Sequence, residues 1–288
     1  MIRTLILFLT LAASAFPAVN SVEAVRMTVA DLGRSVAFYT GVLQFEREDI
    51  DAGQRRLARL RLGSEHIELM QCSEGKAYPA GSRGNDRWFQ HVAIIVSDMD
   101  RAWRILKDNG VSNISAGPQT IPAWNKAASG IRANYFKDPD GHPLEILWFP
   151  AGKGDPKWQD KSRLFLGIDH TAIVVGDTQA SLRFYRDTLG MRVAGESLNY
   201  GPEQERLSGV MGAKVRITGL RAGGGFGIEF LEYLNPRDGR PAAADSDCDA
   251  VHRETVMATT GDNDVLRDPD GHVVRLVSGQ SASKGGEQ

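Results

Sequence analysis

The sequence predicts a mixed α+β chain assembled from strand–helix–three-strand units, and three observations carry that prediction. Residues 28 to 43, TVADLGRSVAFYTGVL, recur as VVGDTQASLRFYRDTL at 174 to 189. The shift of 146 superimposes Asp31 on Asp177, Ser35 on Ser181, Phe38 on Phe184 and Tyr39 on Tyr185. FKDPDGHPLEIL at 136 to 147 recurs as LRDPDGHVVRLV at 266 to 277, with a shift of 130. A third stretch, HVAIIVSDMDRAWRILKDNG at 91 to 110, has the same strand, aspartate and helix order inside the first half. Self-similarity on this scale marks duplicated modules.

Each half opens on a β-branched or apolar run, VRMTVAD or HTAIVVGD, patterned as a core strand. An aspartate then caps a helix whose apolar positions, Val36, Phe38, Tyr39 and Val42 or Leu182, Phe184, Tyr185 and Leu189, fall at helical spacing. Strand patterns follow in RRLARLRLG, HIELMQ, AKVRITGLRA and GIEFLEYL, while IRANYF and LEILWF flank the first DPDGH. In that turn Pro fixes one φ and Gly frees the next. His142 and His272 inside it read as turn residues, not ligands.

The expected organisation is a lead-in over 1–21, a first domain over 22–150, a polar linker over 151–163, a second domain over 164–278 and a disordered tail over 279–288. The lead-in carries LILFLTLAASAFPA after Arg3 and a small-residue Ala13-Ser14-Ala15 pattern. That is a signal peptide in outline, too short for a comfortable membrane span, and it predicts an exported protein, periplasmic or secreted. The 34 basic and 36 acidic residues leave a net charge of -2, so charge recruits neither nucleic acid nor anionic lipid. The expected partner is a small-molecule substrate. Cys72 and Cys248 have no neighbouring cysteine to form a zinc knuckle, and they read as unrelated thiols in preference to a disulfide.

With these motifs in this order and repeated, residues 22 to 278 resemble the vicinal oxygen chelate superfamily, which includes glyoxalase-like, bleomycin resistance and extradiol-dioxygenase-like proteins. The resemblance implies two tandem glyoxalase-like domains of βαβββ modules. It also implies metal ligands on the first and last strand of each module. Counting seven residues back from Asp31, Asp98, Asp177 and Gly261 gives first-strand positions Ala24, His91, His170 and Glu254; the last-strand positions are Glu68, Glu145, Glu229 and Arg275.

Modules two and three thus supply His91 with Glu145 and His170 with Glu229. Modules one and four supply Ala24 with Glu68 and Glu254 with Arg275, a set with no histidine and with a cation where a cation must bind. Glyoxalase-type relatives build a cavity from modules of different domains, so pairing two with three implies one complete site and pairing one with four implies a dead one. Two imidazoles and two carboxylates suit a divalent ion such as Fe, Mn, Ni, Co or Zn. An octahedral ion so held has room for two adjacent substrate oxygens, with Glu145 or Glu229 as general base.

Around this site His66 and His252 fall off the ligand register, although a shift of two keeps His252 on the same strand face. Trp88, Phe89, Trp124 and Tyr200 read first as packing residues. NYGPEQE and NPRDGRP read as loops, Arg237 and Arg240 as solvated. From His91 to Asp138 there are 47 residues and from Glu254 to Asp268 only 14, so the fourth module is truncated. It is reduced to a hairpin or completed by a partner chain, and its open edges make a homodimer an expectation. The first functional expectation is a metal-dependent lyase, isomerase or epimerase acting on a small oxygenated metabolite. The alternatives are an Fe(II) extradiol-type dioxygenase and a non-catalytic binding or resistance protein.

Overall fold

A computed structural model describes residues 18–48, 56–242 and 246–279. The signal-peptide reading and almost all of the tail lie outside the described residues. Module one runs through β1 (Val19–Val29), α1 (Leu32–Gly41), β2 (Glu46–Glu48), β3 (Leu57–Leu62) and β4 (Glu65–Gln71). Module two comprises β5 (Gln90–Val96), α2 (Met99–Asp108), β6 (Gln119–Thr120), β7 (Arg132–Lys137) and β8 (Pro143–Trp148). Module three has β9 (Phe165–Val174), α3 (Thr178–Leu182) continued by a wider turn over Arg183–Thr188, β10 (Arg192–Tyr200), α4 (Pro202–Ser208), β11 (Lys214–Arg221), β12 (Gly224–Gly225) and β13 (Gly227–Asn235). Module four keeps only β14 (Arg253–Thr259), β15 (Asp264–Arg267) and β16 (Val273–Ser278).

The modules pair across the tandem halves. Sheet I has the order β15-β16-β14-β1-β4-β3-β2, with β12 beside β1, and so joins modules one and four; sheet II, β10-β11-β13-β9-β5-β8-β7-β6, joins modules two and three. The truncated module is a strand followed by a hairpin without a helix. Its β15 is an edge strand of sheet I, and Val265 there is 49% exposed.

Asp31, Asp98 and Asp177 cap their helices by accepting the backbone N–H of Arg34, of Arg101, and of Gln179 and Ala180. The FY and DPDGH repeats meet one another. Tyr39 donates to Asp138 at 3.0 Å and Tyr185 to Asp268 at 3.3 Å, while each aspartate's other oxygen accepts two N–H groups of its own turn. Each repeated motif is thus one half of a tether between a helix and a turn.

β5 is buried along its whole length because it is central in sheet II. Alternation sends Val92, Ile94 and Val96 into the main core beneath the helices and His91, Ala93 and Ile95 toward the concave side. That side is walled by Tyr135, Leu147, Leu231 and Tyr233, each contributing roughly 1.5–3 kcal/mol of burial. The segment read as a linker is mostly exposed, and its Trp158, 5% exposed, anchors it by donating the indole N–H to Asp169.

Two expectations are corrected. Cys72 and Cys248 are not unrelated thiols but a disulfide, with Cα atoms 5.2 Å apart. Pairing modules one and four brings together chain segments 176 residues apart. Gly75 allows the close approach there, since a Cβ would lie 1.5 Å from the Cys248 carbonyl oxygen. The stretch read as loop NYGPEQE ends β10 and begins α4, with Pro202 in the first turn, where its missing N–H costs nothing.

Candidate metal centre

His91, Glu145, His170 and Glu229 stand on β5, β8, β9 and β13, the four central strands of sheet II. Ala93 pairs with both Glu145 and His170, and Ala172 pairs with both Glu229 and His91, so the register brings the four side chains onto one patch of the concave face. His91 Nε2 lies 3.1 Å from Glu145 Oε2; His170 Nε2 lies 3.6 Å from that same oxygen and 3.4 Å from Glu229 Oε2. One ligand atom each from His91, Glu145 and His170 falls within 4.8 Å of the others. The first three side chains are buried, whereas that of Glu229 is 29% exposed at the mouth.

The buried polar atoms fit a divalent ion. Neither His91 ring nitrogen has a hydrogen-bond partner, although the residue is 1% exposed. Leaving such a group unsatisfied costs about 1–3 kcal/mol. The ring is instead wedged against Tyr135, with centroids 4.7 Å apart. A buried His-Glu-His cluster of this kind has the donor set of a first-row metal site.

Sequence reasoning missed Asp169. Strict alternation sends it to the face opposite His170, but the β5–β9 register slips at this residue: Ala93 pairs with His170 and Ile94 with Ile168. The resulting β-bulge re-aims the carboxylate. Asp169 Oδ2 lies 2.9 Å from His170 Nδ1, and Oδ1 accepts from Arg221 at 2.9 Å and from Trp158 at 3.1 Å. The contact to Nδ1 leaves Nε2 facing the cluster. Burial favours the neutral acid, but the His170 hydrogen bond and charge, with Arg221, hold the Asp169 pKa well below the carboxylate range. Burial likewise opposes a charged His170, yet Glu229, Asp169 and Glu145 together push its pKa up to about 9. Burial raises the Glu229 pKa. The pocket is electronegative and favours a cation.

Two adjoining hollows of about 120 and 270 Å³ open over the cluster and share His170, Glu229, Ser197 and Ile217. Among the described residues the smaller one is lined by no lysine or arginine; its polar groups include Asn199 and Gln204, and the buried Gln204 Oε1 has no partner. Trp124 and Tyr200 are about half exposed and stack on each other at 4.2 Å.

In sheet I the equivalent positions hold no such site. Arg26 pairs with both Glu68 and Glu254, as Ala93 does with Glu145 and His170 in sheet II. Where alanine leaves space, the Arg26 guanidinium reaches Glu68 at 2.7 Å and Glu254 at 3.1 Å. Arg275 adds two bonds to Glu254, at 2.5 and 2.6 Å. The chain's own cations neutralise these carboxylates, and Ala24 offers no donor. His252 does turn inward, to 3.4 Å from Glu254, and His66 meets Glu48 at 3.3 Å. His142 and His272 bond to Asp138 and to the Val174 carbonyl, away from the cluster. Arg240, its side chain 41% exposed, is tied to Asp86 and lies over Trp88; Arg237 donates to the Leu234 carbonyl.

Residues 21–146 and 167–267 match the Glyoxalase/Bleomycin resistance protein/Dioxygenase superfamily. The chain is 30% identical over 154 residues to a 2-epi-5-epi-valiolone epimerase of Actinomyces sp, covering 47% of this chain and 83% of that protein. It is 26% identical over 191 residues to a lactoylglutathione lyase of Arabidopsis thaliana, covering 64% of this chain and 59% of that protein. Glyoxalase I from Zea mays shares the fold, with a TM-score of 0.58 at 17% identity over 90% of this chain and 92% of that one. With both tandem stretches matched and both sheets built as described, the chain belongs to the Glyoxalase/Bleomycin resistance protein/Dioxygenase superfamily.

Proposed function

We propose that the protein is a metal-dependent enzyme of the lyase, isomerase or epimerase type, acting on a small oxygenated metabolite in the cup of sheet II. The observation that carries this reading is the convergence of His91, Glu145, His170 and Glu229 beneath a hollow of small volume. These four residues would hold a divalent ion of the Fe, Mn, Ni, Co or Zn class. Once bound, such an ion supplies Lewis-acid polarisation of two adjacent substrate oxygens.

The chain's own residues do the rest. His91 and Glu145 form the buried floor, and Asp169 fixes the ring orientation of His170. Glu229 stands at the mouth with its pKa raised by burial, which suits a group that takes a proton from the carbon beside the substrate oxygens and returns it. Glu145, enclosed and shared between two imidazoles, is the less accessible of the two. Apolar walls, among them Ile131, Leu147 and Leu231, exclude water, and the Gln204 carboxamide is placed to meet a substrate hydroxyl. The carboxylates Glu145, Asp169 and Glu229 around the smaller hollow favour an uncharged polyol or hydroxyketone over an anion.

The test combines metal analysis of the purified protein with deuterium uptake from solvent into a cyclic α-hydroxyketone. Stoichiometric metal, exchange in wild type and loss of exchange in Glu229→Gln support the reading. Metal-free active protein, or undiminished exchange in that variant, would overturn it.

The tight cluster of two imidazoles and one carboxylate, with Glu229 farther out, favours a second reading as an Fe(II) dioxygenase. Oxygen uptake with a catechol distinguishes it. We also propose export, which the Cys72–Cys248 disulfide supports, since such bonds persist in oxidising compartments.

A further inference from the structure

A separate hollow of about 410 Å³ lies outside the cup, where the segment around Lys76 and the starts of β5 and β14 meet the β15–β16 turn. Its volume falls in the range of small-ligand sites. On its lining lies Arg253, which is 3% exposed. The guanidinium donates to the Gln90 carbonyl and the Tyr78 hydroxyl, both uncharged, and its Nε has no partner. No carboxylate among the described residues forms an ion pair with it. A buried cation without a counter-charge is expensive, and burial pulls its pKa below the ordinary arginine value.

The remaining lining points to the missing counter-charge. Arg87, which also meets Asp270 at 3.3 Å, and the exposed Lys76 add further positive charge. The lining carries one carboxylate among the described residues, Asp249, and its two oxygens are engaged by the backbone N–H groups of Lys76 and Ser246 at 2.8 and 3.1 Å. Trp88, Val251 and Val273 make an apolar wall, and Trp88 is steadied by Arg240, whose guanidinium lies 4.6 Å from its ring centroid. A phosphate would use the cations and leave the apolar wall unused; a hydrocarbon would do the reverse.

We propose that this hollow binds a small organic carboxylate with an apolar body, its carboxylate pairing with Arg253 and its body resting on Trp88, Val251 and Val273. The site shares no residue with the metal cluster. Its ligand is therefore distinct from the substrate proposed above.

Calorimetric titration of the full chain with phenylacetate tests this, with phenylacetamide as the uncharged analogue and sulfate as the inorganic anion. Saturable binding of phenylacetate is expected, about tenfold or more tighter than either comparator. Arg253→Met should weaken it by about tenfold or more. Ala77→Trp, at an exposed rim position, should block entry and keeps the test decisive if the arginine variant fails to fold. His170→Ala should leave binding unchanged. Absence of saturable binding, equal binding of the amide or of sulfate, or loss of binding in His170→Ala would overturn the proposal, the last by placing the carboxylate at the metal centre.

Discussion

The Arg26 guanidinium lies 3.1 Å from the Glu254 carboxylate, at register positions that Ala93 and His170 occupy in the other sheet. Together with Ala24 and Arg275, this small-to-large difference separates an electronegative, open cup from one neutralised from within. Burial works against ionised Glu254, yet Arg275, His252 and Arg26 hold its pKa well below the carboxylate range.

Removing that cation should therefore destabilise the protein without opening a second metal site. Arg26→Ala leaves Glu68 without its closest counter-charge and Glu254 with Arg275 and His252. Because Arg26 is 18% exposed, the loss should be about 2–4 kcal/mol, somewhat under that for a fully buried pair. Urea unfolding checks the stability. Metal stoichiometry should remain that of wild type, since Ala24 still supplies no donor.

Asp169 should matter to the metal more than to the fold. Asp169→Asn retains a side chain able to bond Trp158 and Arg221 on one oxygen, but it removes the anionic partner of His170 Nδ1. Metal affinity is expected to fall by about 10–100-fold. Competition against a chromogenic chelator measures this, with the thermal midpoint as control. Unchanged affinity would remove the positioning role from Asp169.

The contrast between Asp169 and the four cup residues shows what the sequence could and could not display. His91, Glu145, His170 and Glu229 came from the family resemblance, which points to the first and last strand of each module, and regular strands let the repeats convert that into positions. Asp169 lay beside His170 in plain sight, but a β-bulge is a property of the paired strands, and alternation alone pointed it the wrong way. Arg26 was hidden for a similar reason: its role appears only when β1, β4 and β14 lie side by side. α4 had legible signals in Pro202 and the acidic Glu203 and Glu205 of its first turn, outweighed by the glycine and proline at its start.

The Asp138–His142 pair should impose a pH dependence from both sides. Burial raises the Asp138 pKa, but the His142 charge and hydrogen bonds outweigh this and lower it; burial likewise opposes charged His142, and Asp138 outweighs it to raise that pKa. The Asp138 contribution is complete above the ordinary carboxylate range and is lost as pH falls through its lowered value. The His142 contribution is complete below the ordinary histidine value of 6.5 and is lost as pH rises through its raised value. The difference in unfolding free energy between wild type and His142→Gln should therefore shrink as pH rises above about 6.5. A difference that stays constant from pH 5 to 9 would contradict the pairing.

The disulfide should be the strongest single constraint on sheet I. It links the end of β4 to the segment entering β14, and these strands flank β1 on either side. Separate modules of the chain must therefore find each other before sheet I closes. Joining residues 176 apart removes a long loop from the unfolded ensemble, and the expected stabilisation is about 2–5 kcal/mol. Cys72→Ser should lower the urea midpoint by the corresponding amount, and dithiothreitol should do the same to wild type while leaving the variant unmoved. Since sheet II holds the cluster and contains neither cysteine, the metal content of the folded variant should match wild type. A wild-type midpoint indifferent to reductant would show that the bond does not form in solution, and the support it lends to export would go with it.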